Sequence, residues 1–562
     1  MSARTNRRTG GQILVDALKL HGVDTVFCVP GESYLGTLDA LYDARDAIRL
    51  IVCRQEGGAS NMADAYGKLT GKPGVVFVTR GPGATNASVG IHTAHQDSTP
   101  VVMFVGQVAR RMAEREAFQE IDFRRMFGQF TKWVAQIDDP ARVPEMVARA
   151  FTTATSGRPG PVVLAIPEDM QTELADAEDG APYKTVEPAP SPEQMAELRE
   201  RLTRAKRPLV LLGGSGWTEQ ACADIRAWIE ANDLPVGCGF RRQDLFDNRA
   251  PNYAGDVALG INPRLAIRVK ESDLLIVVGQ QLNETTTGGY TMLPVPKSHQ
   301  PLIHALPDTD GLGRVYQPDL PINAGMRAFA RAARALLPVD GSAWRRWTRE
   351  ANEDYRAHIA PPPMPGGVDL GAIVGGLSQS LPDDAMIVNG AGNYTVWVHR
   401  FFQYKRYGTQ LAPMSGAMGY GVPAAVAAKL VHPERMVVSF NGDGCFLMNG
   451  QELATAVQYQ LPIVYVVVNN ATYGTIRMHQ ERRYPGRVIG TDLRNPDFAA
   501  LARAYGATGE VVERTADFAP AFERARKAAG PSLVELRVDP EALTPTATIS
   551  GLRKMATSAA QH

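Results

Sequence analysis

The sequence is poor in cysteine, in aromatic residues, in net charge and in long apolar runs, and each shortage removes a class of answer. Its five cysteines, Cys28, Cys53, Cys222, Cys238 and Cys445, are scattered through 562 residues, odd in number and without a C-x-x-C pair. That spacing supports neither a disulfide framework nor a zinc site, and leaves small apolar residues in a reducing compartment as the expectation. Lys and Arg total 59 and Asp and Glu total 59, so composition makes no electrostatic case for nucleic acid or an anionic membrane surface. No apolar run reaches about 18 residues, and the basic opening MSARTNRRTGG adjoins no apolar segment. A cytoplasmic protein acting on small molecules, with no nucleic-acid or membrane partner, is the expectation.

What is present is an ordinary globular composition, 44% hydrophobic and 21% charged, in a chain long enough for roughly three or four domains. Short apolar runs alternate with helical patterns from Gly11 onward: TVFCV, then the run around Leu50 to Val52, then GVVFV, then VVMFVG. Such alternation predicts a parallel α/β domain. It recurs after an acidic, Pro-rich stretch near 172–195, and again after a connector that ends in Pro361-Pro362-Pro363. The glycines Gly213, Gly214 and Gly216 follow the second block's first strand. They fit a dinucleotide turn or a plain βα turn, and the third glycine of the dinucleotide fingerprint is missing.

The most informative stretch is Val437 to Gly474, which reads as strand, turn, helix, strand, with Gly442-Asp443-Gly444 after the first strand and Asn469-Asn470 after the second. In a parallel sheet both groups emerge at the carboxyl edge, where ligands bind. Asp443 and Asn470 there offer oxygen donors for one hard cation, and Mg²⁺ in such sites bridges to a phosphate. A diphosphate ligand is therefore predicted.

Gly-Asp-Gly and Asn-Asn, with 24 residues between Gly444 and Asn469, match the motif of thiamin diphosphate enzymes. The chain resembles the acetolactate synthase (acetohydroxyacid synthase) group of that family along most of its length. Arg54-Gln55-Glu56-Gly57-Gly58-Ala59, Gly81-Pro82-Gly83-Ala84-Thr85-Asn86, Asp97-Ser98-Thr99-Pro100, Phe118-Gln119-Glu120, Gly157-Arg158-Pro159-Gly160-Pro161 and Ser415 to Gly421 carry the likeness in order. The resemblance implies three doubly wound parallel-sheet α/β domains: a pyrimidine-binding domain at 8–175, a central domain at 196–337 and a diphosphate-binding domain at 368–545. Linkers at 176–195 and 338–367 and a tail at 546–562, either mobile or a lid, complete the expected layout.

The resemblance also implies the site. Asp443, Asn470 and the main-chain carbonyl of Thr472 would ligate Mg²⁺, while Gly392, Asn393, Tyr394, Gly416, Gly444 and Gly474 would border thiamin diphosphate. Met418 would support the cofactor between its two rings. Glu56 would hydrogen-bond the pyrimidine and so activate the cofactor; burial without a cationic partner would raise its pKa. Gln119 and Gly31 match positions near the reacting carbon, and Phe118, His95 and His479 are candidates for the substrate pocket. The implied reaction is decarboxylation of a 2-oxo acid such as pyruvate and transfer of the acyl-anion equivalent to a second carbonyl. A decarboxylase or lyase releasing an aldehyde is the alternative, and a non-catalytic cofactor-binding protein the third reading. Because Glu56 and Asp443 lie in different domains, and in this family the site joins those domains across two subunits, a homodimer or homotetramer is implied.

Three departures stand out. His479 occupies the place of a tryptophan that acetolactate synthases use to choose their acceptor, so that preference does not transfer. Gln281-Leu282-Asn283-Glu284-Thr285 replaces a segment whose arginines help hold FAD in acetolactate synthases, which counts against FAD as a further cofactor. His95-Gln96 also replace an aromatic and an apolar residue. Donor, acceptor and product stereochemistry are not legible at this level.

Overall fold

The computed structural model describes residues 7–559. It holds three six-stranded sheets, every pairing within them parallel. The first contains β1 (Thr25–Cys28), β2 (Arg49–Val52), β3 (Gly74–Val78), β4 (Val101–Gln107), β5 (Trp133–Gln136) and β6 (Pro161–Pro167), in the order β2-β1-β3-β4-β6-β5. The second contains β7 (Pro208–Leu212), β8 (Val236–Gly239), β9 (Tyr253–Val257), β10 (Leu274–Val278), β11 (Leu302–Leu306) and β12 (Leu320–Asn323), ordered β9-β8-β7-β10-β11-β12. The third contains β13 (Met386–Asn389), β14 (Gln410–Leu411), β15 (Val437–Gly442), β16 (Val464–Asn469), β17 (Thr508–Val512) and β18 (Ser532–Arg537), ordered β14-β13-β15-β16-β18-β17.

The central strands of each sheet are continuous apolar runs because both faces are covered. Every residue of β3, β4, β7 and β10 is buried, as a parallel sheet between helical layers requires. In each sheet the strand order reverses beside the first strand: between β1 and β3, between β7 and β10, and between β13 and β15. The loops that leave those strands splay apart at the carboxyl edge and open a crevice. The three doubly wound α/β sheets are those expected from the sequence.

The chain forms two compact units, one running to Val186 with Val426–Val431 added, the other from Glu187 to Ala425 and from His432 onward. The first unit holds the first sheet, and the second unit holds the other two. Within the second unit buried polar contacts join the two sheets. Gln243 Nε2 donates to the His399 carbonyl at 2.7 Å, and the Gly408 and Gln410 amides donate to the buried Asp244 carboxylate.

Both expected connectors carry structure. Leu174–Asp176 pairs antiparallel with Arg7–Thr9, and a helix begins at Pro192, inside the expected linker, behind a Ser191–Gln194 capping box. In the expected linker 338–367 the helix Arg345–His358 folds onto the central domain. Trp344 and Tyr355 enter that domain's apolar core and Tyr355 meets Tyr253 edge-on at 4.8 Å. The helical spacing of Trp344, Thr348, Ala351 and Tyr355 makes one buried face on a segment whose other face is charged. The expected tail also differs: Ala542–Thr544 pairs with Ala547–Thr548, and a helix at Ile549–Ala559 follows. Its end beyond residue 559 lies outside the described residues. Among the described residues no helix is long and apolar enough to cross a membrane.

Candidate active site

In the first unit, the loops leaving β1, β2 and β4 gather three of the sequence candidates, Gly31, Glu56 and Gln119, beside the loop that leaves β3. Glu56 opens the helix α1 (Glu56–Thr70), because Gln55 caps it by accepting from the Gly58 amide at 3.1 Å. The Glu56 side chain is half-buried, and its Oε2 accepts from Asn86 Nδ2 at 2.9 Å. Asn86 stands on the helix α2 (Gly81–Asp97), which begins directly after β3. A Cβ added at Gly83 would lie 3.3 Å from Glu56 Oε1 and 2.9 Å from the Thr79 methyl, and one at Gly31 would lie 2.6 Å from Thr79 Cβ. Gly31, Thr79, Gly83 and Glu56 therefore form one patch at the first sheet's switch point.

Gln119 reaches the same patch through its backbone, its carbonyl accepting from the Gly81 amide at 3.0 Å. Its loop is strained: Glu114, Glu116 and Gln119 have φ of 62°, 55° and 66°, and a left-handed non-glycine residue costs about 1–2 kcal/mol. Phe118, beside Gln119, is 72% exposed.

His95 is not part of this patch. It lies twelve residues beyond Gly83 on α2, about 18 Å along the helix axis, where Arg158 donates to its carbonyl at 3.2 Å and to Ser98 Oγ at 2.7 Å. Asp97 is likewise structural: buried, it shares Lys68 with Asp64 and ties α2 to α1. Two of the sequence signatures, at 97–100 and 157–161, thus meet each other away from Glu56.

In the second unit, the switch point between β13 and β15 gathers the remaining candidates. The loop after β13 carries Gly392, with φ 145°, and Asn393 into the helix α3 (Tyr394–Phe401). Asp443 opens the helix α4 (Asp443–Asn449) directly after β15. The Gly442 and Gly444 motif glycines face two tyrosines: a Cβ at Gly444 would lie 2.5 Å from the Tyr473 ring and one at Gly442 3.0 Å from the Tyr394 ring. Only glycine permits both rings to close on the turn that presents Asp443. Tyr394 is itself buried in the core with its hydroxyl near Cys445 Sγ; Asn393 is half-buried and accepts from Thr475 Oγ1 at 2.9 Å.

Asp443 is buried, and its oxygens accept from the Gly444 amide at 2.8 Å and from Asn495 Nδ2 at 2.8 Å. No Lys, Arg or His among the described residues pairs with it. Burial pushes its carboxyl above the ordinary range against the lowering effect of those hydrogen bonds. Asn495 also donates to Asn469 Oδ1 at 2.9 Å, and Asn469 donates to Glu535 at 2.7 Å. Asn469 thereby fixes the frame, and Asn470, half-buried with Oδ1 accepting from the Thr472 amide at 3.2 Å, is the amide left at the edge. Ala471, with φ 53°, turns the chain so that Thr472 and Tyr473 pair with Thr491. A buried carboxylate without a cation, an amide oxygen and a loop carbonyl make an oxygen-donor set suited to Mg²⁺.

Met418 sits half-buried against the third domain's core, in a loop held at both sides. Cys445 Sγ accepts from the Gly419 amide, Asn449 Nδ2 donates to the Gly419 carbonyl at 3.0 Å, and the buried Arg241 donates to the Pro413 carbonyl. Gly416 is exposed in the same loop with φ 71°. Gly474 starts the helix α5 (Gly474–Arg483), where a Cβ would lie 3.2 Å from Asn470 Nδ2; His479 is exposed on that helix.

At the central sheet's switch point the Gly213 turn has another partner. A Cβ at Gly213 or at Gly239 would lie 2.0 or 1.9 Å from Gln280 Oε1. Gln280 is fully buried, and its Nε2 donates to Thr286 Oγ1 at 2.8 Å. Its side chain lies against both glycines. Asn86, Asn495 and Gln280 were not singled out in the sequence; Asn86 closes a quoted glycine motif, whereas nothing local marks Asn495.

Three family models match the chain in order: the N-terminal TPP binding domain of thiamine pyrophosphate enzymes over 8–126, their central domain over 195–333 and their C-terminal TPP binding domain over 390–536. The chain is 31% identical to the acetolactate synthase isozyme 2 large subunit of Escherichia coli (strain K12), covering 94% of this chain and 95% of that one. It is 33% identical to the acetolactate synthase large subunit of Parasynechococcus marenigrum (89% and 83%) and 32% identical to that of Corynebacterium glutamicum (94% and 86%). Domain order, switch-point geometry and near full-length likeness agree, and the chain belongs to the thiamine pyrophosphate enzymes, as a relative of the acetolactate synthase large subunits.

Proposed function

We propose that this enzyme is a thiamin diphosphate- and Mg²⁺-dependent carboligase of acetolactate synthase type, which decarboxylates a 2-oxo acid such as pyruvate and joins the remaining acyl unit to a second carbonyl. The observation that carries the cofactor is the buried, cation-free Asp443 beside Asn470 at a parallel sheet's switch point. Ligation, rather than aldehyde release, rests on the likeness to acetolactate synthases over 94% of the chain.

Thiamin diphosphate would supply the nucleophile and the electron sink that decarboxylation of a 2-oxo acid needs. Asp443, Asn470 and the Thr472 carbonyl would hold Mg²⁺, and Gly392 and Asn393 would border the diphosphate. Glu56 holds a proton against the pyrimidine ring nitrogen, and Asn86, donating to its other oxygen, keeps the carboxyl aimed. Met418 braces the cofactor from a loop fixed by Arg241, Cys445 and Asn449. Gln119 and Gly31 border the reacting carbon. His479, exposed, stands in place of the acceptor-selecting tryptophan, and the acceptor is accordingly not assigned.

Gln280 lies against Gly213 and Gly239 at the central sheet's switch point, where an open α/β sheet takes a nucleotide, and this counts against FAD. No step is assigned to a flavin. A homodimer or homotetramer in the cytoplasm completes the proposal. Incubation with pyruvate, Mg²⁺ and thiamin diphosphate tests it: acetolactate is the expected product, and acetaldehyde alone would replace ligation by simple decarboxylation.

A further inference from the structure

We propose that Glu120 is a positioning residue that holds Gln119 at the reacting carbon; this rests on the role given to Gln119 above. The loop before Gln119 has almost nothing apolar to anchor it. Residues 111–116 are exposed, Phe118 is 72% exposed, and three non-glycine residues stand in the left-handed region. Beneath it lies a cavity of about 210 Å³ bordered by Gln107, Glu114, Glu120, Phe123 and Gln136, so the loop bridges a gap. Such strained backbone persists only where surrounding groups over-determine it.

Glu120 supplies that determination with both oxygens. Oε1 accepts from the Glu114 amide at 2.7 Å and Oε2 from the Ala117 amide at 3.1 Å, closing the strained stretch into a ring. On the far side the Gly81 amide holds the Gln119 carbonyl at 3.0 Å, and Gln107 Nε2 holds the Ile121 carbonyl at 3.0 Å. The carboxylate thus fixes the loop against the start of α2, the helix that also carries Gly83 and Asn86 to Glu56. Bonds to an ionised acceptor are the strong ones, and an amide in its place retains one acceptor and turns a donor toward another donor.

A double-mutant cycle with Glu120→Gln and Gln119→Ala tests the assignment. Glu120→Gln alone should lower kcat/KM for pyruvate about tenfold, the effect of one charge-assisted hydrogen bond, with the thiamin diphosphate Kd unchanged. In the Gln119→Ala enzyme the same change should have no further effect on kcat/KM; additive losses would overturn the proposal. A fully active Gln119→Ala enzyme would overturn it as well. Trypsin cleavage after Arg115 should accelerate several-fold in Glu120→Gln at unchanged Tm, and an unchanged cleavage rate would show that Glu120 does not hold the loop. If the parent enzyme turns over no 2-oxo acid, the failure lies with the proposed reaction, and the cleavage rate alone decides the role of Glu120.

Discussion

Glu56 and Asp443 are carboxylates placed in opposite ways, and the difference sets what each can do. Glu56 stands half-buried at a helix start, with one oxygen engaged by Asn86 and the other next to a glycine that leaves space. Replacing it by Gln should leave the Kd for thiamin diphosphate within a few-fold and lower kcat by about 10²–10⁴, the usual contribution of a positioned proton donor or acceptor; steady-state kinetics beside calorimetric titration would check both halves. Near-normal turnover would end the assignment. Asp443 is buried against two amide donors, and among the described residues no Lys, Arg or His pairs with it. Asp443→Ala should weaken joint binding of Mg²⁺ and thiamin diphosphate by at least tenfold, an outcome that an unchanged titration would contradict. Both residues were legible because short motifs surround them. Asn495, which orients Asp443, was not, since it approaches from 52 residues away along the chain with no neighbouring pattern.

At the scale of elements, the C-terminal helix Ile549–Ala559 is fixed to α5 rather than loose. Met478, Leu543, Ile549 and Leu552 form a small apolar cluster, and Arg553 grips the fully buried Glu481 carboxylate at 2.6 and 3.0 Å while Arg477 and the Gly486 amide complete its shell. Arg553, first among these partners, draws the Glu481 carboxyl down to about 2 from an ordinary 4.5. A depressed carboxyl contributes stability that is present in full above pH 4.5 and is lost as pH falls toward 2. Hydrogen exchange should therefore show this helix loosening across that window. Glu481→Gln should release it at neutral pH, at a cost of about 3 kcal/mol to local stability; unaltered exchange would refute the clasp. Gln280 makes a second prediction at this scale. Purified protein should show no flavin absorbance near ~450 nm, and stoichiometric FAD released on denaturation would mean that Gln280 moves aside.

For the molecule as a whole, the proposed assembly sets a simple expectation: light scattering should return at least twice the chain mass of 60.8 kDa, and a monomeric mass would remove the homodimer and homotetramer together. Most of the architecture was readable in advance, because buried parallel strands write themselves as uninterrupted apolar runs. Edge elements were harder. β17, reading TGEVV with most of its residues at least partly exposed, and the two-residue β14 carry too little apolar signal to stand out. The helix Arg345–His358 and the C-terminal helix read as connector and tail for the related reason that their apolar positions are few and their other faces charged or small.

By itself the sequence determined the cofactor chemistry, since Gly-Asp-Gly, Asn-Asn and the Glu56 turn each place their groups through local geometry that a few adjacent residues dictate. Only the tertiary structure decided what depends on groups distant in the chain. It set His95 apart from Glu56, since His95 stands near the end of α2 while Gly83, beside Glu56, stands at its start. It buried Tyr394 as a wall for Gly442, set Gln280 against Gly213 and Gly239, and brought Glu120 and Asn495 to the residues they hold. Short-range backbone geometry is written in neighbouring residues, whereas packing is settled by which surfaces the completed fold presses together.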